Sequence, residues 1–161
     1  MSLLQHLHPA TVHFPIALLS LASVAGLLYL YWRPHPVLLV LTWWPMRLGW
    51  LGGGVAVMTG LLAQRGLPPD APYQSVLNWH ISAGLAVLVV YGLLLYQHWF
   101  FDTPKAKKAR RRAGIQASTL LDVRRQRIGF TGLALLGLLL LFITGRYGGQ
   151  LVYEWGVNVM R

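Results

Sequence analysis

Four long and almost uncharged apolar stretches constrain this chain more than any other feature of its sequence. A helix needs about 20 mostly apolar residues to cross a hydrocarbon core about 30 Å thick. Such stretches run over about residues 9–31, 44–63, 76–97 and 128–144. Only 11% of the 161 residues are charged, less than half of the roughly 25% that is typical of soluble domains. The sequence therefore predicts an all-α integral membrane protein, an antiparallel bundle of four transmembrane helices that forms a single domain of residues 1–161.

The edges of the first two spans follow from local signals. Proline is favoured at the first helical position, so we expect the first helix to begin at Pro9 with His8 near its N-cap. No cleavage-site pattern follows the first apolar run, which is expected to remain in the mature protein. The apolar run at 37–43 would carry Arg47 deep into lipid if it lengthened the second span. We therefore expect that run to be a separate interfacial segment.

Basic residues indicate the orientation because they favour the cytoplasmic side of a membrane. The face with the first and third loops carries eleven of the 14 Lys and Arg residues, and the face with both termini carries three. This predicts a bacterial inner-membrane protein with both termini outside and the basic loop 98–127 in the cytoplasm. Part of that loop, Lys105 to Arg127, is a candidate amphipathic surface helix.

The net charge of +10 is then chiefly a topology signal. Each basic residue beside the membrane gains about 1 kcal/mol from anionic lipid, which makes such lipids the expected partner of the loop. Docking of a soluble acidic partner is the second interpretation. Nucleic acid is not an expected partner, because no nucleic-acid-binding motif accompanies the charge.

Histidines are gathered at the outer face, where His6, His8, His13 and His80 all fall. His13 and His80 each lie four residues inside parallel spans, about 6 Å below the boundary at 1.5 Å per residue. Two imidazoles at one depth on different helices can bind one metal, as in a bis-histidine haem. A satisfied polar cluster, a proton relay and a quinone contact remain alternatives. Copper or zinc bound by His6, His8 and His13 is a weaker one, since no carboxylate is close in sequence.

Other residues at the same face would complete a haem site. Gly60 and Gly84 would make room for the macrocycle, and Arg65 or Arg146 could pair with a propionate. Glu154, the only Glu in the chain, is expected to pair with one of these arginines or with a protonated histidine.

The outer ends of the second and fourth spans share further features. Thr-Gly pairs at 59–60 and 144–145 occupy matching positions, where an outward-running span leaves the membrane. The glycines at 148–149 permit a tight turn with positive φ, so we expect the segment 145–161 to fold back over the bundle. No nucleophile–base pair, phosphate loop, dinucleotide fingerprint or zinc-protease motif is present, and no catalytic residue is predicted.

The run from His8 through Val12-His13-Phe-Pro to Ile16 resembles the opening signature, HPxxVHFPI, of a bacterial membrane-protein family, domain of unknown function 2231. The Thr-Gly pair at 59–60, His80 and the run 148–153 are similar to the remaining landmarks of that family, so the resemblance covers nearly the whole chain. It implies four spans and, by comparison with cytochrome-like haem b proteins, roles for His8, His13 and His80. The family usually has a histidine before its final glycine, where this chain has Trp155.

The leading hypothesis is a non-catalytic membrane subunit that binds haem b at the outer side, with His13 and His80 as the iron ligands. It would pass electrons in or to a larger respiratory or photosynthetic complex. The alternative is a cofactor-free accessory subunit that packs on such a complex, which the glycines at 52–54 and the seven tryptophans support. A small transporter ranks last, because internal inverted repeats are lacking.

Overall fold

The computed structural model describes the backbone of residues 3–157 and all of their side chains except those of residues 3–7, 9, 10 and 66. This part of the chain is helical and contains no strand. Two single 3₁₀ turns, Gln64–Gly66 and Leu120–Asp122, interrupt the connections. The five α-helices are α1 (Leu3–Tyr31), α2 (Pro36–Ala63), α3 (Gln74–Asp102), α4 (Pro104–Arg112) and α5 (Arg124–Tyr153).

Four helices are long and apolar enough to cross a membrane, namely Thr11–Tyr31 within α1 and the whole of α2, α3 and α5. Successive long helices run in opposite directions, which confirms the predicted antiparallel bundle. In it, α1 packs chiefly on α2, and α3 packs chiefly on α5. We call the end where α1 begins and α5 ends the histidine end, and the opposite end, which carries α4, the basic end.

The second span is longer than predicted, because the run 37–43 belongs to α2 itself. Pro36 occupies the first turn, where no backbone donor is needed, and the imidazole Nδ1 of His35 accepts from the backbone N of Val37 at 3.3 Å. Pro45 is accommodated inside the helix. The prediction of a separate interfacial segment is therefore wrong. At 1.5 Å per residue α2 is about 42 Å long, more than the hydrocarbon core requires.

The longer α2 includes Arg47, the charged residue that had led us to predict a shorter second span. Arg47 is exposed on the side of α2, and its guanidinium carbon is 5.3 Å from the centre of the Trp44 ring. A long basic side chain can cover apolar surface with its stem while its charge reaches the interface. Arg47 therefore does not divide the helix.

Two other predicted boundaries are wrong, and both lie at the histidine end. α1 begins at Leu3 instead of Pro9, so His8 lies within the helix and is not its N-cap. α5 continues through Gly148 and Gly149 to Tyr153, and the glycine with positive φ in this region is Gly156. In apolar surroundings the backbone must satisfy its own hydrogen bonds, which favours helix even at glycine.

The main hydrophobic core occupies the middle and the basic end of the bundle. The turn Leu120–Asp122 inserts Leu120 and Leu121 between the long helices, where they are almost fully buried. A smaller cluster at the histidine end consists of Leu77, Leu151 and Val157 with partly buried neighbours. The tightest packing therefore lies away from the histidine end.

The surface helix predicted for Lys105 to Arg127 is shorter in the structure. α4 ends at Arg112, and Gly114 with φ 68° turns the chain out of it. The hydroxyl of Thr103 accepts from the backbone N of Ala106 at 3.3 Å and begins the helix. Beyond the turn, residues 115–119 are irregular, and helical structure resumes only with the turn Leu120–Asp122 and with α5 at Arg124, so the stretch is not one continuous surface helix.

Asp122 ties the basic end together through three hydrogen bonds. The hydroxyl of Tyr29 donates to its Oδ1 at 2.9 Å, while the hydroxyl of Ser118 and the backbone N of Thr119 donate to its Oδ2 at 2.7 and 3.1 Å. Partial burial acts to raise the pKa of Asp122, but these donors outweigh it, and the pKa lies below its usual value. The ionised form is therefore favoured in the folded protein.

We expect Asp122→Ala to lower the free energy of unfolding by about 1–2 kcal/mol, because three donors lose a charged acceptor that is only partly screened by solvent. The depressed pKa stabilises the fold above the pKa of the unfolded carboxyl, and this contribution is lost as the pH falls through the folded pKa. Thermal unfolding in detergent measures both effects. Asp102→Ala is the matched control, since Asp102 pairs at 3.4 Å with an exposed Lys107; an equal loss there would contradict the assignment.

Candidate functional site

A mostly apolar cavity of about 440 Å³ opens at the histidine end, between the four long helices. Its volume lies in the range of roughly 300–1,000 Å³ that is usual for small-molecule and cofactor sites. Few polar side chains face it, and three of them are His8, His13 and His80. Glycines from three helices widen it: Gly53, Gly60, Gly84, Gly145, Gly148 and Gly149.

His8 of α1 and His80 of α3 face each other across this cavity. The centres of their imidazole rings are 6.0 Å apart, and the ring planes are inclined by 80°. His8 is the sixth residue of α1 and His80 the seventh of α3, so the two parallel helices carry them to nearly the same level. Both side chains are half-buried.

Each imidazole makes a hydrogen bond to a backbone carbonyl of the adjacent helix. His8 Nδ1 is 2.9 Å from the carbonyl oxygen of Ala56, with the Thr59 hydroxyl 3.3 Å away, and His80 Nδ1 is 3.0 Å from the carbonyl oxygen of Thr144. A carbonyl oxygen only accepts, so Nδ1 is the donor in both rings. In a neutral imidazole this leaves the lone pair on Nε2. A hydrogen bond of this kind is what normally orients a metal-ligating histidine.

Two glycines leave the space that these rings occupy, because glycine has no side chain. A Cβ at Gly60 would lie 2.9 Å from Cε1 of His8, and a Cβ at Gly148 would lie 2.9 Å from Cε1 of His80. Any other residue would collide with the imidazole or displace it. Each histidine thus contacts a glycine and the carbonyl of the residue four positions before that glycine. We call these two pairs, Ala56 with Gly60 and Thr144 with Gly148, the cradles.

Thr144 contributes a second polar group to the cavity wall. Its backbone carbonyl accepts from His80, whereas its hydroxyl oxygen is buried and has no hydrogen-bond partner among the described residues. A buried hydroxyl without a partner is costly. It is therefore available to a polar group of a bound ligand.

His13 also lines the cavity, but the partner that the structure gives His80 is His8. His13 is exposed. Five residues separate it from His8, which places the two about 140° apart around a helix. The prediction matched His13 to His80 because it began α1 at Pro9, and the earlier start of α1 at Leu3 brings His8 to the level of His80. His6 lies outside the described side chains.

The predicted arginines lie at the rim of this end. Arg65 and Arg146 are both exposed, and neither is among the described residues that line the cavity. Arg146 Nη1 is 3.9 Å from Glu154 Oε1, an ion pair of the kind predicted for Glu154. Trp155, at the position where the resemblance implies a histidine, packs its ring 6.0 Å from that of Tyr73 in the α2–α3 connection.

Sequence reasoning missed the cradles, although a signal was present. Gly84 was predicted to make room one turn below His80, but its Cβ would touch only a methyl of Thr144 at 3.9 Å. The steric role belongs to Gly60 and Gly148. Both lie eleven residues after a buried glycine: Gly60 after Gly49, and Gly148 after Gly137. The Thr-Gly pairs drew attention to Gly60, which is one of the two cradle glycines, but to Gly145 instead of Gly148.

Comparisons with known proteins bear on the chain as a whole. A family model described as "Predicted membrane protein (DUF2231)" matches residues 5–161. No curated protein and no solved structure matches the chain. In the part of the chain that the structure describes, no group of three or more His, Cys, Asp or Glu side chains is placed to bind a metal ion.

Proposed function

The chain belongs to the DUF2231 family of predicted membrane proteins, and we propose that within this family it is a haem b-binding, cytochrome-like membrane subunit. It would pass electrons in or to a larger respiratory or photosynthetic complex. The observation that carries this proposal is the pair of imidazoles, His8 and His80, each with Nδ1 bonded to a carbonyl and both bordering one apolar cavity.

The residues present fit a haem iron between them. Two metal–nitrogen bonds of about 2 Å each, plus roughly 1 Å from each nitrogen to its ring centre, would allow the ring centres to lie up to about 6 Å apart. The observed separation of the ring centres is 6.0 Å. The lack of a side chain at Gly60 and at Gly148 leaves room for the two rings in this position. The unpartnered hydroxyl of Thr144 offers a hydrogen bond to the ligand.

Different residues of the chain would have different roles in such a site. When bound, haem supplies a one-electron couple whose potential depends on its axial ligands and on the polarity of the pocket. His8 and His80 would ligate the iron, and the carbonyls of Ala56 and Thr144 fix the tautomer in which Nε2 is free. The apolar wall would limit the contact of a bound haem with water. At the rim, Arg65 and Arg146 are the proposed partners of the propionates, with Arg146 exchanging Glu154 for a propionate.

The location that we propose follows from the charge distribution. The basic end, with α4 and its exposed lysines and arginines, would face the cytoplasm and anionic lipids, and the histidine end would face the periplasm of a bacterial cell. Electron partners of the haem would then approach from the outer side. Other membrane subunits are the proposed partners within the bilayer.

An absorption spectrum of the purified protein tests the haem proposal directly. After haem-replete expression and mild detergent extraction, we expect a Soret band and, on reduction, the sharp visible bands of a six-coordinate b-type haem. Protein without any Soret band would overturn the proposal and favour the cofactor-free accessory subunit.

Three single variants identify the ligands. His80→Ala should lose the Soret band. Comparing His8→Ala with His13→Ala decides which residue is opposite His80: the geometry predicts loss in the first and retention in the second, and the reverse would return the ligand role to His13. His35→Ala is the control, because its imidazole caps α2 at the basic end and its loss should leave the spectrum unchanged.

A further inference from the structure

The bundle consists of two helical hairpins that share one set of histidine, glycine and carbonyl contacts. We call α1 and α2 the first hairpin, and α3 and α5 the second. Residues of α1 have their structural counterparts in α3 72 positions later in the sequence, as His8 has in His80. Residues of α5 correspond to those of α2 at a distance of 88 positions, as Gly148 does to Gly60.

The carbonyl and glycine contacts of the two histidines correspond, although only His8 also has a hydroxyl, that of Thr59, 3.3 Å from its Nδ1. In the first hairpin His8 bonds to the carbonyl of Ala56 and packs on Gly60, four residues later. In the second hairpin His80 bonds to the carbonyl of Thr144 and packs on Gly148, again four residues later. The distances agree within 0.1 Å, since the hydrogen bonds measure 2.9 and 3.0 Å and the distances to the constructed Cβ are both 2.9 Å.

The correspondence continues three helical turns further into the bundle. Eleven residues after each histidine, Leu19 packs on Gly49 and Tyr91 packs on Gly137, and in both cases a Cβ on the glycine would lie 2.8 Å from the side chain. An interval of eleven residues is close to three full turns, so these contacts lie on the same helix faces as the histidine contacts.

Burial repeats at the same intervals. Tyr29 and Phe101 are 9% and 7% exposed, and Met46 and Ala134 are both fully buried. Corresponding positions are both buried but carry different residue types. A comparison of residue types alone therefore does not reveal the repeat. It is a parallel repeat, not the inverted repeat whose absence we noted, because α1 and α3 run in the same direction.

Corresponding residues meet each other at the centre of the bundle, as a two-fold axis parallel to the helices requires. His8 faces His80. Three turns deeper, the hydroxyl of Tyr91 lies 3.5 Å from the backbone oxygen of Leu19 and bonds to Ser23 at 2.8 Å. The cavity at the histidine end therefore presents two equivalent imidazoles, one from each hairpin.

The symmetry is broken at the basic end. His98 lies eighteen residues after His80, but its counterpart in α1 is Gly26. A Cβ at Gly26 would collide with the ring of Phe130, so no second histidine has room there. His98 itself is stacked on Trp43, with ring centres 3.9 Å apart and planes inclined by 4°. Aromatic rings fill the position that a second paired site would need.

We propose that the chain is a fused pair of equivalent hairpins that holds one haem on its two-fold axis, with His8 and His80 contributing equally, and that the basic end holds none. This rests on the proposed function and adds the stoichiometry, the position and the equivalence of the ligands. Two equivalent donors on opposite sides of an axis suit a single metal centre between them.

Haem content per chain tests the proposal. We expect one haem per chain, at least a roughly tenfold lower content in both His8→Ala and His80→Ala, and no further loss in the double variant. The two single variants should agree within about twofold, because the ligand contacts are equivalent. His98→Ala should keep one haem with an unchanged spectrum.

Several results would overturn it: two haems per chain, loss of a haem in His98→Ala, or a normal haem content in only one of the His8→Ala and His80→Ala variants. A wild-type protein without haem would instead refute the proposed function. The equivalence would then be judged on the haem-free protein, where Gly60→Ala and Gly148→Ala should lower the melting temperature by the same amount. A shift in only one of them would overturn the two-hairpin equivalence.

Discussion

Under the proposed function, the Gly148→Val substitution is expected to abolish haem binding while the bundle remains folded. A Cβ at position 148 would lie 2.9 Å from Cε1 and 3.2 Å from Nδ1 of His80, and the branched methyls would approach further. The ring must rotate away, which breaks its bond to the carbonyl of Thr144 and moves it from its position 6.0 Å from the ring of His8. A ligand displaced by 1 Å or more cannot complete six-coordinate iron.

The measurement is the Soret absorbance per chain, compared with the elution volume and the helical signal of the same preparation. We expect the absorbance to fall at least roughly tenfold, in line with the loss of a ligand-orienting contact, and the helical signal to persist. Gly132→Val is the matched control on α5, since a Cβ at Gly132 meets nothing within 4 Å. A normal spectrum in Gly148→Val would show that His80 is not positioned by this cradle.

Gly137→Val is expected to cause the largest loss of stability. The glycine is buried, and a Cβ there would lie 2.8 Å from two ring carbons and 2.9 Å from the hydroxyl oxygen of Tyr91. Tyr91 is fully buried, and its hydroxyl bonds to Ser23 in the first hairpin. The ring therefore has no free direction, and α5 must move away from α3. Overpacking of this kind typically costs about 1–3 kcal/mol, and the lack of a free direction for the ring places this variant at the upper end of that range.

Unfolding by heat or SDS in mixed micelles measures the loss, and a lowered yield of folded protein would accompany it. The double variant Gly137→Val with Tyr91→Ala tests the cause. If the collision with Tyr91 is responsible, the second substitution recovers part of the stability, and the two effects are not additive. Additive losses would place the cause elsewhere, and Gly132→Val again serves as the control on the same helix.

Much of the fold follows from hydropathy alone. The number of long helices and their antiparallel order are set by apolar stretches of sufficient length, which is a local property of the chain. The boundaries were less accurate at three places, Leu3, Pro36 and Tyr153, where helix extends beyond the apolar stretch or through proline and glycine. Local preferences at those residues yield to the need for satisfied backbone hydrogen bonds in apolar surroundings.

The candidate site could be predicted only in part. The gathering of histidines at one end, the position of His80 and the ion pair of Glu154 with an arginine are visible in the residue order. The partner of His80 is not, because five residues separate His8 from His13 and the start of α1 decides which of them reaches the level of His80. A shift of a few residues in a helix start changes both the depth and the direction of a side chain.

The residue order of this chain therefore determines a four-helix membrane protein with four of its six histidines at one end and eleven of its 14 Lys and Arg residues at the other. Only the tertiary structure decides that His8 faces His80, that Gly60 and Gly148 hold these rings, and that two hairpins repeat one set of contacts. The reason is physical: hydropathy acts along one helix, whereas these features depend on how each helix is rotated against its neighbour. That rotation is set by packing, in which glycines and buried positions recur although the side chains around them differ.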